Sequence, residues 1–292
     1  MHRRRFMGMG VGALLSAGFA FDDKRQHVRI GLLETMFPDI PEKSVKASID
    51  QFREIMERET GHTGESITLK TSTEIAEQLV KNKIQLGALH GFEYAWIRAK
   101  YADLRSLVVA VNQQTYIHAI IVVQANSAAR DFPELKGQTI AIPEHTKEDN
   151  RLFLDRLCKQ AGVPPDRYFT KTTKPASVED ALDDAVDGVV SSALVDSVSL
   201  NRYRSRKPIR FARLRELKKS PPFPPTAVIY QAGALEEATL VRFRKALVNL
   251  NRSAEGKEVL TTWKLTRYEP LPKDYDQHLE EIAAAYPPPP GI

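Results

Sequence analysis

The stretch GALHGFEYAWIRAKY, Gly87 to Tyr101, sets His90, Glu93 and Tyr94 where a short apolar run meets a glycine and a helical pattern begins. A strand end that turns directly into a helix start is where open α/β sheets bind ligands. Imidazole and phenol groups can donate or accept hydrogen bonds. A carboxylate in a helix's first turn also interacts favourably with the helix dipole. His90, Glu93 and Tyr94 are therefore candidates to line a cleft, with Glu93 and His90 reading a cationic or hydrogen-bond-donating group. The alternative is that Glu93 only caps the helix while Phe92 and Trp96 pack into a core. Gly91 either lets a ligand approach the backbone closely or supplies a turn with positive φ.

Three further groups could do chemistry. Tyr116 and His118 are two residues apart at the start of an apolar run, a spacing that puts both on one side of a strand. His145, Thr146 and Lys147 stand before another helical pattern. A hydroxyl and an ammonium there would suit an anion at a helix N-terminus, though Glu144, Glu148 and Asp149 oppose it. Asp196 follows a buried run, where it could take a ligand's amine or simply cap the next helix. Thr35, after the first strand, and Ser72, at the start of the second helix, complete the candidate ligand-binding set. His90, His118, His145 and Glu93 could together suit zinc, but no His-x-x-x-His spacing supports this and no metal is expected. The one cysteine, Cys158, falls on the apolar face of a helical pattern, so neither an internal disulfide nor a thiolate site is expected. No nucleophile–base set and no glycine-rich nucleotide loop is present, and neither an enzyme nor a bound cofactor is expected.

Elements must position these side chains. Val28 to Leu33 reads as a buried strand, followed by the loop ETMFPDIPEKS and an amphipathic helix with Val45, Ile49, Phe52 and Met56 on one face and a stop at Gly61. ESITLKT and TEIAEQLVKN read as a strand and a helix, Gln85 to Leu89 as a third strand, and Glu93 to Lys100 as the helix after it. Strands alternating with helices predict an α/β fold with mostly parallel sheets. Ser72 to His90 resembles Ser177 to Asp196 at an offset of 105 residues, each reading as capping Ser, helix, turn and strand. That repeat predicts two lobes. The second runs from 116 to 226; the first is discontinuous, 27–115 plus 227–292, because the Pro-rich SPPFPPT (Ser220 to Thr226) leads back into it. Two crossings make a two-strand hinge with a cleft between the lobes.

The first twenty residues read as an export leader with a basic start, a glycine-rich apolar middle and a small-x-small end at Gly18–Ala20. Arg3-Arg4-x-Phe6-Met7 is the pattern of a twin-arginine signal. The apolar stretch is short of the roughly 20 residues a membrane span needs. Without residues 1–20 the chain keeps 39 basic and 37 acidic residues, so no nucleic-acid partner is expected.

Taken in order, these segments resemble the periplasmic solute-binding proteins of phosphonate, phosphate and phosphite ABC transporters. LGALHGFEYAW resembles the family's strand and Gly-Pro-Phe-Ser-Tyr turn, through Phe92 and Tyr94. YIHAIIVVQANS, ELKGQTIAI and RSAEGKEVLTTWKLTRYEPLPKDYD follow its later segments. The resemblance implies a type II periplasmic binding protein fold, a small oxyanion or organophosphonate as ligand, ABC permease subunits as partners, a monomer and a periplasmic location. A sensory or partner-binding relative of the same fold is the alternative. The family's Ser-Thr-Ser-Gly anion segment is PEHTKEDN here, with His145, Lys147 and Glu148 where Ser, Ser and Gly are expected. The phosphonate label is therefore not carried over intact.

Overall fold

The computed structural model describes residues 25–37 and 40–289; the leader read at 1–20 lies outside the described residues. The chain opens with β1 (His27–Leu33), α1 (Glu42–Thr60), β2 (Thr63–Leu69), α2 (Ser72–Val80), β3 (Leu86–Leu89), α3 (Gly91–Arg98) and β4 (Leu104–Val111). It then passes to β5 (Ala119–Gln124), β6 (Thr139–Ala141), α4 (Glu148–Gln160), α5 (Pro165–Tyr168), β7 (Lys171–Thr173), α6 (Val178–Val186), β8 (Ser192–Asp196), α7 (Ser197–Arg206), α8 (Pro208–Phe211) and β9 (Leu214–Lys219). It ends with β10 (Thr226–Gln231), α9 (Glu237–Asn249), α10 (Ala254–Thr262), β11 (Arg267–Glu269) and α11 (Tyr275–Ala285).

Two sheets result. The first has the order β11-β4-β10-β3-β1-β2 and the second β7-β6-β8-β5-β9. In the first, β1 through β4 share one direction, and β10 and β11 oppose them. In the second, only β5 runs against the others. Each sheet is thus mixed, most strands sharing one direction, with the reversed strand β10 or β5 next to a segment that passes between the sheets. Those two segments pair antiparallel at Ile117 and Phe223, through Ile117 N–H to the Phe223 carbonyl at 3.3 Å and the reverse at 2.8 Å. The pairing stays isolated because Pro221, Pro222, Pro224 and Pro225 around Phe223 lack an amide proton to donate.

Apolar side chains divide accordingly. One cluster lies behind the first sheet, with Phe52, Met56, Phe243, Leu247 and Trp263 under α1, α9 and α10. Another lies behind the second, with Leu182, Val186, Val195 and Tyr203 under α6 and α7. A third is shared by both sheets, joining Leu33, Leu89 and Phe92 to Phe153, Leu157, Phe223 and Tyr286. α1 begins three residues before Val45 and stops at Gly61 in a left-handed conformation (φ 76°), which glycine adopts without a Cβ penalty. Residues 104–111, which sequence periodicity left unassigned, form β4 in the first sheet.

The helix-turn-strand repeat is present with one correction. α2 and α6 each have nine residues, but their caps are Thr71 and Ser177, whose hydroxyls accept from the amides of Glu74 and Asp180. The equivalence is therefore one residue longer than the sequence match implied. Ser72 is the first helical residue, not the cap.

Candidate functional site

β1, β2 and β3 in the first sheet and β6 and β8 in the second end near the residues singled out by sequence. His90 is the N-cap position of α3, but its side chain caps nothing. Its ring stacks on Phe92, with centroids 5.4 Å apart and planes 4° apart, and its Nε2 lies 3.3 Å from the Thr35 hydroxyl. Burial pushes its pKa down to about 4, so the ring is neutral at pH 7. Gly91 has no left-handed backbone. A Cβ there would meet the carbonyl oxygens of Pro224 and Pro225 at 2.3 and 2.6 Å. The glycine is needed for the approach of the returning connector.

Glu93 is the least ordinary group of the set. Its Oε2 is buried without a hydrogen-bond partner. Burial pushes its pKa up to about 7; Glu148, the first residue of α4, pushes the same way, while the His90 amide and the Ser72 hydroxyl pull it down. Ser72 is 1% exposed, and its Oγ also has no partner of normal hydrogen-bond geometry. Glu93 thus caps α3 by accepting the His90 amide, and Glu148 of α4 is near enough to raise its pKa further. Tyr94 instead points into the core, where its hydroxyl donates to the Leu104 carbonyl at 3.2 Å.

On the other side, Lys147 precedes α4 without capping it by side chain. Its ammonium is 3.4 Å from Asp196 Oδ2. Asp196 is buried and caps α7, accepting from the Ser199 amide at 2.9 Å and the Ser199 hydroxyl at 3.0 Å. Asp149 accepts from the Asn150 amide at 3.0 Å, and burial raises its pKa; Lys147 opposes the shift and Asp196 adds to it. Thr146 is buried with its hydroxyl donated to the Pro143 carbonyl at 2.7 Å, while His145 is exposed. The hydroxyl and ammonium that sequence reading offered to an anion are thus engaged within the protein.

Tyr116 and His118 lie before β5, in the connector, and turn to different partners. Tyr116 donates to Asp274 at 2.6 Å and packs edge-on against His278 of α11. His118 Nδ1 is 2.8 Å from the Ser220 carbonyl, so that nitrogen carries the proton, and burial lowers its pKa. Among the described residues no group of three or more His, Cys, Asp or Glu side chains could hold a metal. Cys158 is buried, and its thiol is pushed up to about 12.

Tyr286, just before PPPP, escaped sequence reading, because the segment gave no signal. Its ring is buried under the Arg156 guanidinium of α4 at 4.9 Å and beside Phe223, and its carbonyl accepts from Trp96 of α3 at 2.6 Å. It links α3 to α4. The concavity behind the first sheet, bounded by Phe52, Phe243 and Trp263, is apolar and lies on the sheet's other side.

Two mixed sheets joined by paired connectors, with polar groups gathered at the strand ends between them, define a two-lobed binding protein. The profile of the periplasmic substrate-binding proteins of phosphonate ABC transporters matches residues 35–275, and the chain belongs to that family. A Xanthomonas citri protein solved with a chloride ion superposes with a TM-score of 0.58 at 15% identity, over 89% of this chain and 97% of that one. A binding-protein component of an ABC phosphonate transporter from Pseudomonas aeruginosa gives 0.54 at 15% identity, over 88% and 85%. PhnD1 from Prochlorococcus marinus in complex with methylphosphonate gives 0.55 at 14% identity, over 89% and 97%. At these identities the likeness is one of fold. No curated protein matches the chain at a significant level. The family is one of periplasmic transport components that bind a small molecule and work with ABC permease subunits, not one of enzymes. No helix among the described residues is long and apolar enough to cross a membrane.

Proposed function

We propose that this chain is a monomeric solute receptor that holds one small polar ligand between a lobe of residues 27–115 plus 227–292 and a lobe of residues 116–226, and presents the closed form to a permease. Residues 1–20 act as a twin-arginine export leader, removed before the protein works. The observation that carries this reading is Glu93 Oε2, buried without a hydrogen-bond partner beside the end of β3, with Glu148 of α4 near enough to raise the carboxyl's pKa. Buried polar atoms are nearly always paired in a folded protein. We read that unpaired acceptor as a ligand's place. His90, bonded to Thr35, stands beside it on the first unit, and the second unit offers the Lys147–Asp196 pair at the start of α4.

Family membership puts phosphonates first in the panel to be tried, and the uncapped starts of α3 and α4 are the groups that support an anion. A thermal-shift screen of the exported protein tests the reading. Methylphosphonate, phosphate, an alkylsulfonate and ethanolamine form the panel. A ligand at 100 times its Kd should stabilise the fold by about 2.7 kcal/mol, which for a chain of this size is a shift of roughly 5–10 °C. A flat response across the whole panel would count against a receptor role.

A further inference from the structure

The two crossings between the lobes are built differently. The second, Ser220 to Pro225, holds Pro221, Pro222, Pro224 and Pro225, and proline fixes φ at about −65°. Phe223 is buried in the apolar cluster shared by both sheets, and the carbonyls of Pro224 and Pro225 close on Gly91. This crossing has few dihedrals left to turn. The first, Asn112 to His118, contains neither proline nor glycine.

Its backbone is nonetheless the unusual one. Among the described residues, the non-glycine residues with positive φ are Asn82, Gln113 and Lys264. Asn82 and Lys264 each stand two places past the last residue of a helix, α2 or α10, where the left-handed conformation is an ordinary stop. Gln113 ends no helix. It has φ 62° at the centre of a three-residue turn, closed by the Gln114 amide on the Asn112 carbonyl at 2.7 Å. A turn closed over three residues with positive φ at its centre is the rare, strained form. Strain of that kind persists only where surrounding contacts hold it.

Those contacts come from the C-terminal segment of the first lobe. The Gln113 amide donates to the Thr266 hydroxyl at 3.0 Å, the Thr115 hydroxyl to Glu269 at 3.0 Å, and the Tyr116 hydroxyl to Asp274 Oδ1 at 2.6 Å. Asp274 is held in turn by His278, whose Nε2 is 3.3 Å from Oδ2 and whose Nδ1 is 3.0 Å from Glu281. On the far side, Gln114 Oε1 accepts from the Ser197 hydroxyl at 3.0 Å, and Ser197 heads α7 of the second lobe. The strained turn therefore lies between an anchor on each lobe.

Resting on the two lobes of the reading above, we propose that Gln113 is the pivot on which they turn, and that Asp274, through Tyr116, is the latch that sets how freely it turns. The proline crossing is the fixed side of the hinge. The Tyr116–Asp274 bond is the strongest of the ties, because it is short and its acceptor is a carboxylate.

The test uses the full exported protein without ligand. Val80, at the end of α2, and Val189, in the turn after α6, are exposed and lie one on each lobe. Spin labels on Val80→Cys and Val189→Cys report the distance between the lobes. Cys158, wholly buried with its thiol pushed up to about 12, does not compete for the label. Tyr116→Phe should widen the distance distribution. It should also speed exchange of the Gln113, Gln114 and His118 amides by roughly tenfold, as loss of a hydrogen bond to a charged group does. Gln113→Gly keeps the turn without its Cβ penalty, and should widen the distribution without lowering the melting temperature. Tyr203→Phe removes a 2.6 Å bond to Asp183 inside the second lobe, and should leave the distribution as in wild type. A merely structural Tyr116 would give faster exchange with an unchanged distance distribution, and that result overturns the inference. So does a Gln113→Gly distribution as narrow as that of wild type, or an equal widening by Tyr203→Phe. A flat ligand panel with the expected widening present would sink the receptor reading and leave the hinge standing.

Discussion

At the scale of single residues, His90 and Glu93 form an opposed titrating pair, and their signs can be worked out separately. Glu93 has a folded pKa of about 7, above its ordinary value of 4.5, so the folded state holds its proton more tightly than the unfolded chain. Its contribution is fully present below about pH 4.5 and is lost as pH rises to about 7. His90 has a folded pKa of about 4, below 6.5. Its contribution is present above about pH 6.5 and is lost as pH falls toward 4. Each shift corresponds to at most about 3 kcal/mol, and the two slopes cancel across the shared window. Urea unfolding between pH 4.5 and 6.5 should therefore be nearly flat with respect to this pair. Glu93→Gln should make stability rise with pH over that window. His90→Gln should make it fall, and Asp149, also raised, adds to that fall. The residue types and the strand-to-helix setting of this pair were visible in the sequence. Their burial was not, because it depends on α4 and the C-terminal segment folding over them. Thr146 shows the converse: a hydroxyl before a helix reads as an anion ligand, but it satisfies the Pro143 carbonyl three residues back instead.

At the scale of elements, the turn into α2 decides what the site contains. Two adjacent hydroxyls, Thr71 and Ser72, were equally able to cap it, and sequence alone cannot choose between neighbours that differ by a methyl group. Thr71 takes the Glu74 amide at 3.1 Å. Thr71→Ala should cost about 1 kcal/mol of stability. Ser72→Ala should cost less than Thr71→Ala, about 0.5 kcal/mol, since the helix cap is kept and only the contact to Glu93 is lost. Denaturant titration of both variants separates the assignments, and a larger loss at Ser72 would place the cap there. Strand β10 shows why most of the sheet was legible. AVIYQ is a short apolar run after a proline cluster, and the prolines mark the return to the first sheet. β4 was missed because Leu104 to Val111, buried through most of its length, has neither helical nor alternating periodicity, and such runs are ambiguous by pattern.

At the scale of the whole molecule, the two sheets are joined by more than their connectors. α11 reaches from Tyr116 in the connector to α3, and Tyr286 carries the contact on to Arg156 of α4. One apolar cluster runs through both units, so relative movement of the lobes must slide or open contacts at Phe92, Phe223 and Tyr286. The order of elements and the double crossing followed from the repeat and the proline-rich return. The C-terminal tie did not, because AAAYPPPP carries no periodicity from which its docking could be read. Closure on a ligand would have to protect both sides of the site at once. The most direct measurement is amide hydrogen exchange on the full exported protein, with and without a saturating concentration of whichever compound of the thermal-shift panel raises its melting temperature most. The account predicts slowed exchange at 90–94 of the first unit and at 146–150 of the second together, with α9 unchanged. Slowed exchange on one side only, or none at either, would contradict a ligand held between the two.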